Sequence, residues 1–286
     1  MSVFSDISEY VWDLLNEGKK LGISIGEETI SDLILLEIAR RNYDYLTIKK
    51  TSKNEESRKG IDWEWWIGNT STGWIRYAVQ AKKMDCNQYL YKKLKHIIGK
   101  NGFLQHEVLQ DYAKNTLATA LYAFFNYPKE PNLKEYWHCK KKISKKKMGI
   151  TIAELTNIIE TIKQKRGKNF PVIHKYETTY PLRCLLECIS THETLIFKGF
   201  PQKSVGLVTS FSIDSLTRNC ETIKRNKIHD KDINLNYIMS GYDLLNQSKN
   251  SQFFEKNRRV LYPDNTIMPQ RILVIDTELL NKASEK

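Results

Sequence analysis

One stretch limits the fold more than any other: IDWEWWIGNTSTGWIRYAVQAKK, residues 61–83. Aromatic and β-branched residues fill both halves. The polar NTSTG between them has turn chemistry, so the stretch predicts two strands joined as a hairpin. Side chains on a strand alternate between faces. Asp62, Glu64 and Trp66 therefore share one face, while Ile61, Trp63, Trp65 and Ile67 take the other. On the partner strand Ala78, Gln80 and Lys82 align, with Val79 and Ala81 opposite. The hairpin sets the strands side by side without fixing their register. An acid from the first strand and a Gln-x-Lys from the second can then converge, with small Ala78 and Ala81 leaving room. Carboxylates and a lysine among crowded aromatics are costly unless they are paired or hold a cation.

Elements on either side extend this hairpin into a larger pattern. Residues 4–20 predict an amphipathic helix, with Phe4, Ile7, Val11, Leu14 and Leu15 on one side and Gly22 and Gly26 ending it. EETISDLILLEIARRN predicts a second helix: Ile30, Leu33, Ile34 and Ile38 recur at helical spacing, and acids crowd the first turn, where the dipole favours them. YDYLTIKKT reads as a strand, LQHEVLQDYAKN as a helix, and ALYAFFNY, bounded by Pro128, as a buried strand. The order helix, three strands, helix, strand predicts an α/β fold, a mixed central sheet flanked by helices. Further on, GITIAELTNIIETIKQKRG predicts a helix and QRILVIDTELL a late strand. Residues 1–140 are read as the core with its leading helix, and 141–286 as a C-terminal α/β extension, with only a weak boundary between them.

The 286 residues carry 45 Lys and Arg against 33 Asp and Glu, a formal charge of +12. That excess suits a polyanionic partner, through counterion release, and equally suits simple solubility. Residues 129–147 are lysine-rich and contain KKKISKKK, which reads as a solvated loop or, more sharply, as a phosphate-gripping one. The five cysteines, Cys86, Cys139, Cys184, Cys188 and Cys220, form no CxxC pair and read as reduced thiols of a cytoplasmic protein rather than as a zinc site. MSVFSDISEYVWDLL has no basic region of a secretory signal, and no apolar run reaches the roughly 18 residues of a membrane span, so no membrane partner is expected. Without GxxxxGK[ST] or HExxH, and with His96, His106 and His138 scattered, nucleotide hydrolysis and zinc-protease chemistry are not expected.

GID followed, after a hairpin, by VQAKK resembles the PD-(D/E)xK nuclease superfamily, closest to the Mrr-like restriction endonuclease branch in which QxK replaces (D/E)xK. The resemblance covers roughly residues 25–126, and the αβββαβ order resembles the core of that superfamily. It implies a magnesium-dependent DNA endonuclease, with Mn²⁺ able to substitute, in bacterial restriction or anti-phage defence. A homodimer and companion defence proteins are further expectations. By the same resemblance Asp62 ligands the cation, Gln80 stands where most members have an acid, and Lys82 faces the attacking water or the scissile phosphate. The first helix often supplies another acid. Here it is Glu27 or Glu28, with Glu28 favoured because it sits nearer the apolar face that begins at Ile30.

Physical chemistry supports the same roles. Mg²⁺ takes oxygen ligands and keeps several waters, so one or two carboxylates suffice. It polarises phosphate and makes bound water a better nucleophile. Gln80 offers only a neutral amide oxygen; Glu64, on the same strand face as Asp62 and about 6–7 Å away, can restore the missing charge. Each residue alone is more often structural. Trp63, Trp65, Trp66 and Trp74 can stack on bases but fit sheet packing better, and Gln105 and Gln110, on the helix after the motif, fit contact with the site and a polar helix surface equally well. Two other readings compete: a catalytically inactive nuclease fold that binds nucleic acid, and a protein-interaction subunit whose charge only solubilises it.

Overall fold

The computed structural model describes residues 2–50, 61–69, 73–98, 102–116, 118–128, 132–139, 141–164, 167–188 and 269–284. In chain order these form α1 (Val3–Lys20), α2 (Glu27–Arg41), β1 (Leu46–Lys50), β2 (Trp63–Asn69), β3 (Gly73–Lys83), β4 (Ile97–Ile98), β5 (Phe103–Leu104), α3 (Gln105–Thr116) and β6 (Thr119–Phe125). Then come β7 (Ile150–Glu154), α4 (Leu155–Lys163), α5 (Phe170–His174), β8 (Thr179–Pro181), β9 (Arg271–Asp276) and α6 (Thr277–Ser284). Seven strands form one mixed sheet in the order β1-β9-β2-β3-β6-β7-β8, and β4 and β5 form a separate ribbon. The fold class is α/β, and along residues 27–125 the predicted order of helix, three strands, helix and strand is present with the short β4 and β5 inserted before the second helix.

Neighbours in the sheet differ from chain order. β9 lies between β1 and β2, antiparallel to the first and parallel to the second. The expected late strand is therefore a central one, and its five buried residues from Arg271 to Ile275 have no alternation to reveal a solvent face. TELL, expected to continue that strand, is helical instead. Asp276 Oδ1 accepts the backbone N–H groups of Glu278 and Leu279 and so caps α6. GITIAEL, expected as the start of a helix, contains β7; every residue from Ile150 to Glu154 is buried, so the segment has no helical period.

The described residues divide into two units of interleaved segments. One takes residues up to 42, 80–96 and 121–188; the other takes 43–79, 97–120 and 269–284. Neither unit begins or ends at 140.

In the first unit α1 packs on α2 and β7. Ser2 caps α1 by accepting the N–H of Ser5, and Val3, Phe4, Ile7, Val11, Trp12 and Leu15 form its buried face. Gly149 sits just before β7 where a Cβ would lie 2.0 Å from the Ser8 carbonyl oxygen and 2.8 Å from the Trp12 nitrogen. Both obstacles are helix backbone and cannot rotate away. Gly149→Ala is expected to lower stability by about 3 kcal/mol, as overpacking against rigid neighbours does. A chemical denaturation curve measures it; an unchanged midpoint would refute the close approach.

A buried polar chain crosses the same unit. The Tyr91 hydroxyl donates to Asn126 Oδ1 (2.5 Å), and Asn126 Nδ2 donates to the Met148 carbonyl (3.0 Å) and Thr151 Oγ1 (2.8 Å). Thr151 donates in turn to His174 Nε2 (2.7 Å), whose Nδ1–H meets the Phe170 carbonyl (2.9 Å). Both ring nitrogens are used by the neutral imidazole. Burial first, and His138 second, lower the pKa of His174 from 6.5 to about 3, while the Phe170 carbonyl opposes the shift. A depressed histidine gives stability that is complete above the unfolded value and is lost as pH falls from 6.5 towards 3. Between pH 7 and pH 5 the loss is about 2 kcal/mol. Urea denaturation at the two pH values should show it in wild type and show it diminished in His174→Gln.

Candidate functional site

The second residue of the predicted QxK pair lies at the end of β3. Arg76, Ala78, Gln80 and Lys82 follow one another at two-residue intervals, so the pleat gives them one face of the strand. Gln80 and Lys82 are both buried. An ammonium so far from water needs a partner, and α2 provides one: Glu27 Oε1 lies 3.6 Å from Lys82 Nζ. The other oxygen of Glu27 accepts the backbone N–H of Lys83 at 2.8 Å. Lys83 reaches back with its own amine to the Ile25 carbonyl (2.7 Å) and Ser24 Oγ (3.4 Å). The first turn of α2 is thus clamped to the end of β3 by two adjacent lysines. Gly26 caps the helix without a side chain, and the acid that follows it occupies the turn where the dipole favours negative charge.

Glu27, rather than the favoured Glu28, makes this contact. Successive helical residues are about 100° apart around the axis, and that rotation leaves Glu28 exposed. The Glu27 side chain remains 28% exposed against 3% for Lys82, so the pair opens to solvent on the carboxylate side. A cleft bordered by Leu15, Lys19, Ile25, Lys83, Asp85 and Cys86 lies alongside the clamp.

Asp62 precedes β2, half-buried, with its N–H bonded to the Val79 carbonyl at 3.2 Å. In the observed register Trp63 pairs with Val79 and Glu64 with Ala78. Glu64 is fully buried, and its carboxylate is enclosed by protein donors. Oε1 accepts Trp66 Nε1 (2.6 Å), and Oε2 accepts Arg76 Nη2 (2.8 Å) and the Tyr112 hydroxyl. Burial, with the charge of Glu64, holds Tyr112 protonated well above the ordinary phenol value, so it remains a donor. The expected role of Glu64 as an extra metal ligand gives way to a buried ion pair. Arg76 was the missed partner. Its position two residues before Ala78, at the parity of Gln80, was the available signal.

Trp63, Trp65 and Trp66 are buried in the core, which leaves no ring face for a base; the side chain of Trp74 lies outside the described residues. Gln105 is buried and Gln110 exposed. The lysine-rich loop is engaged with acids of α1: Lys146 pairs with Asp13 (2.8 Å) and Lys147 with Glu9 (3.3 Å).

Three of the cysteines form a cluster that the sequence did not show. Cys139, Cys184 and Cys188 converge, their sulphurs all within 4.8 Å of one another. Hydrogen bonds from Cys184 and then Cys188 hold Cys139 far below the ordinary thiol value, whereas burial raises Cys184. Cys86 is a free thiol elsewhere, and Cys220 lies outside the described residues.

These features define a mixed-sheet α/β protein with a lysine–carboxylate clamp at a strand end. The chain belongs to DUF6615, a family of unknown function whose profile matches residues 1–279. Nothing among the curated proteins or the solved structures matches it. Among the described residues no helix is long and apolar enough to cross a membrane.

Proposed function

We propose that the chain is a metal-dependent endonuclease acting on DNA, with Lys82 and Glu27 at its centre. The observation that carries this reading is the ion pair between the buried lysine of the QxK segment and an acid in the first turn of α2. The resemblance to PD-(D/E)xK nucleases asks for those two residue types from those two elements. By that resemblance Asp62 supplies a second carboxylate, and the Gln80 amide a neutral oxygen. This donor set consists entirely of hard oxygens, which fits Mg²⁺ or Mn²⁺. When bound, such an ion polarises the phosphate and lowers the pKa of water. Lys82 stabilises the charge that develops on the phosphate oxygens. Glu27 keeps the ammonium aimed, and the Lys83 N–H fixes Glu27 in turn. The net charge of +12 favours approach of a polyanion. Restriction or anti-phage defence, a homodimer and companion proteins remain part of the proposal through the resemblance alone.

The same ion pair favours a second reading, in which Glu27 is committed to Lys82 and the protein binds nucleic acid without cutting it. Supercoiled plasmid separates the two. Nicking or linearisation by wild type in Mg²⁺ or Mn²⁺, stopped by EDTA and lost in Lys82→Ala with gel-shift affinity retained, supports the enzyme. Salt-sensitive binding without cleavage in either metal supports the binder. Absence of affinity at low salt would leave a protein-interaction subunit.

A further inference from the structure

We propose that Cys139, Cys184 and Cys188 are the thiolate ligands of a single zinc ion, a site separate from the lysine–carboxylate clamp. Cys184 and Cys188 occupy the two ends of one π-helical turn, which brings residues four apart to the same side. Cys139 comes from the segment that follows the 3-10 helix Leu133–Tyr136. The Cys139 and Cys188 sulphurs are 3.8 Å apart. Tetrahedral zinc with bonds of about 2.3 Å places its sulphurs about 3.8 Å from one another. A disulfide needs about 2.05 Å and would use only two of the three sulphurs. The other two sulphur pairs lie within 4.8 Å, so small rotations about the cysteine Cα–Cβ bonds suffice to reach the same edge length.

The surroundings suit a site of net charge −1, formed by three thiolates and Zn²⁺. Arg183 Nη2 lies 3.5 Å from the Cys139 sulphur and also donates to the Lys142 carbonyl at 3.1 Å. The guanidinium is held over the Trp137 ring at 4.9 Å. Such donors to a ligating sulphur tune and orient it. The neighbouring acid, Glu187, accepts from the Ser2 (2.7 Å) and Ser5 hydroxyls, lies 3.5 Å from Lys141 and 3.9 Å from Arg183 Nη1, so Arg183 serves both the acid and the Cys139 sulphur. His138, beside Cys139, directs Nε2 to the His174 carbonyl at 2.9 Å. Cys184 is buried, whereas Cys139 and Cys188 are half-buried, so an ion has a way in. The three ligands among the described residues leave a fourth tetrahedral position to be filled.

The ion ties the segment before β7 to the turn after β8, closing a loop of 45 positions between Cys139 and Cys184. The full chain, purified with reductant and ZnCl₂, is expected to hold close to one zinc per chain by elemental analysis. Replacement by Co²⁺ should give sulphur-to-cobalt charge-transfer absorption in the near ultraviolet and tetrahedral d–d bands in the visible. Cys139→Ser and Cys188→Ser, both at half-buried positions, should each lower metal content at least fivefold and remove those bands. Cys86→Ser should leave both unchanged. Chelation should lower Tm by several degrees in wild type and not in Cys188→Ser. Zinc well below stoichiometry in folded wild type, cobalt spectra unaltered by the Cys139 and Cys188 variants, or a Cys139–Cys188 disulfide in the reduced preparation would each overturn the site.

Discussion

Arg76→Ala is expected to destabilise the chain by about 3–5 kcal/mol, enough to consume much of the stability of an ordinary domain. Arg76 is 3% exposed and Glu64 is fully buried. The guanidinium donates to Glu64 at 2.8 Å and to the Thr116 carbonyl at 3.1 Å, and lies 4.9 Å from the Trp66 ring centre. Removing it leaves a carboxylate in a dry site without its cationic partner, although Trp66 and Tyr112 still donate to it, and leaves a cavity over the indole as well. The informative comparison is the double variant Glu64→Leu/Arg76→Leu. Deleting both charges of a buried pair costs far less than deleting one. Urea denaturation of wild type, each single variant and the double variant closes the cycle. A loss below about 1 kcal/mol for Arg76→Ala would contradict the burial of the pair.

On the proposed endonuclease reading, Lys82→Ala is expected to reduce DNA cleavage about 10³-fold, or about 4 kcal/mol of transition-state stabilisation, the usual cost of deleting one preorganised donor. Stability should fall much less than in Arg76→Ala. Glu27, the partner left behind, keeps the Lys83 N–H and its access to water. The two lysine–acid and arginine–acid pairs of the β2–β3 region are thus distinguishable by readout: one moves the melting curve, the other the rate. Glu27→Gln supplies a further check. It keeps the shape and removes the charge, so cleavage should fall and require more Mg²⁺. Full activity in Lys82→Ala would remove the lysine from the reaction.

Local pattern carried much of the fold. Ile30, Ile34 and Ile38 made α2 visible because helical spacing and burial coincide there. The hairpin across 61–83 was visible from its aromatic and β-branched content and its polar turn, not from alternating burial, since its described strand residues are buried almost throughout. β7, buried throughout, gives no period and reads as the start of a helix, whereas β9 reads as a strand but not as a central one. The insertion of β9 between β1 and β2 depends on pairing over long separation, which no local window encodes. Within the candidate site, sequence placed the QxK pair and an acidic first turn but not the rotation that turns Glu27 inward. Parity correctly put Glu64 on the face of Trp66, yet could not say that Arg76 would neutralise it. The cysteine cluster was invisible because Cys139 and Cys188 are 49 positions apart and only the turn after β8 brings them together.

The central position of β9 bears on how the protein is made. Its partners β1 and β2 leave the ribosome some 200 residues earlier, a delay of about 10–40 s at common synthesis rates. Throughout that interval β2 has β3 on one side and an open row of backbone donors and acceptors on the other, the kind of edge that recruits foreign strands. Translation that stalls before residue 271 releases a chain whose sheet lacks a middle strand. Shielding of the β2 edge during synthesis therefore matters more for this protein than for one whose neighbouring strands are made in succession.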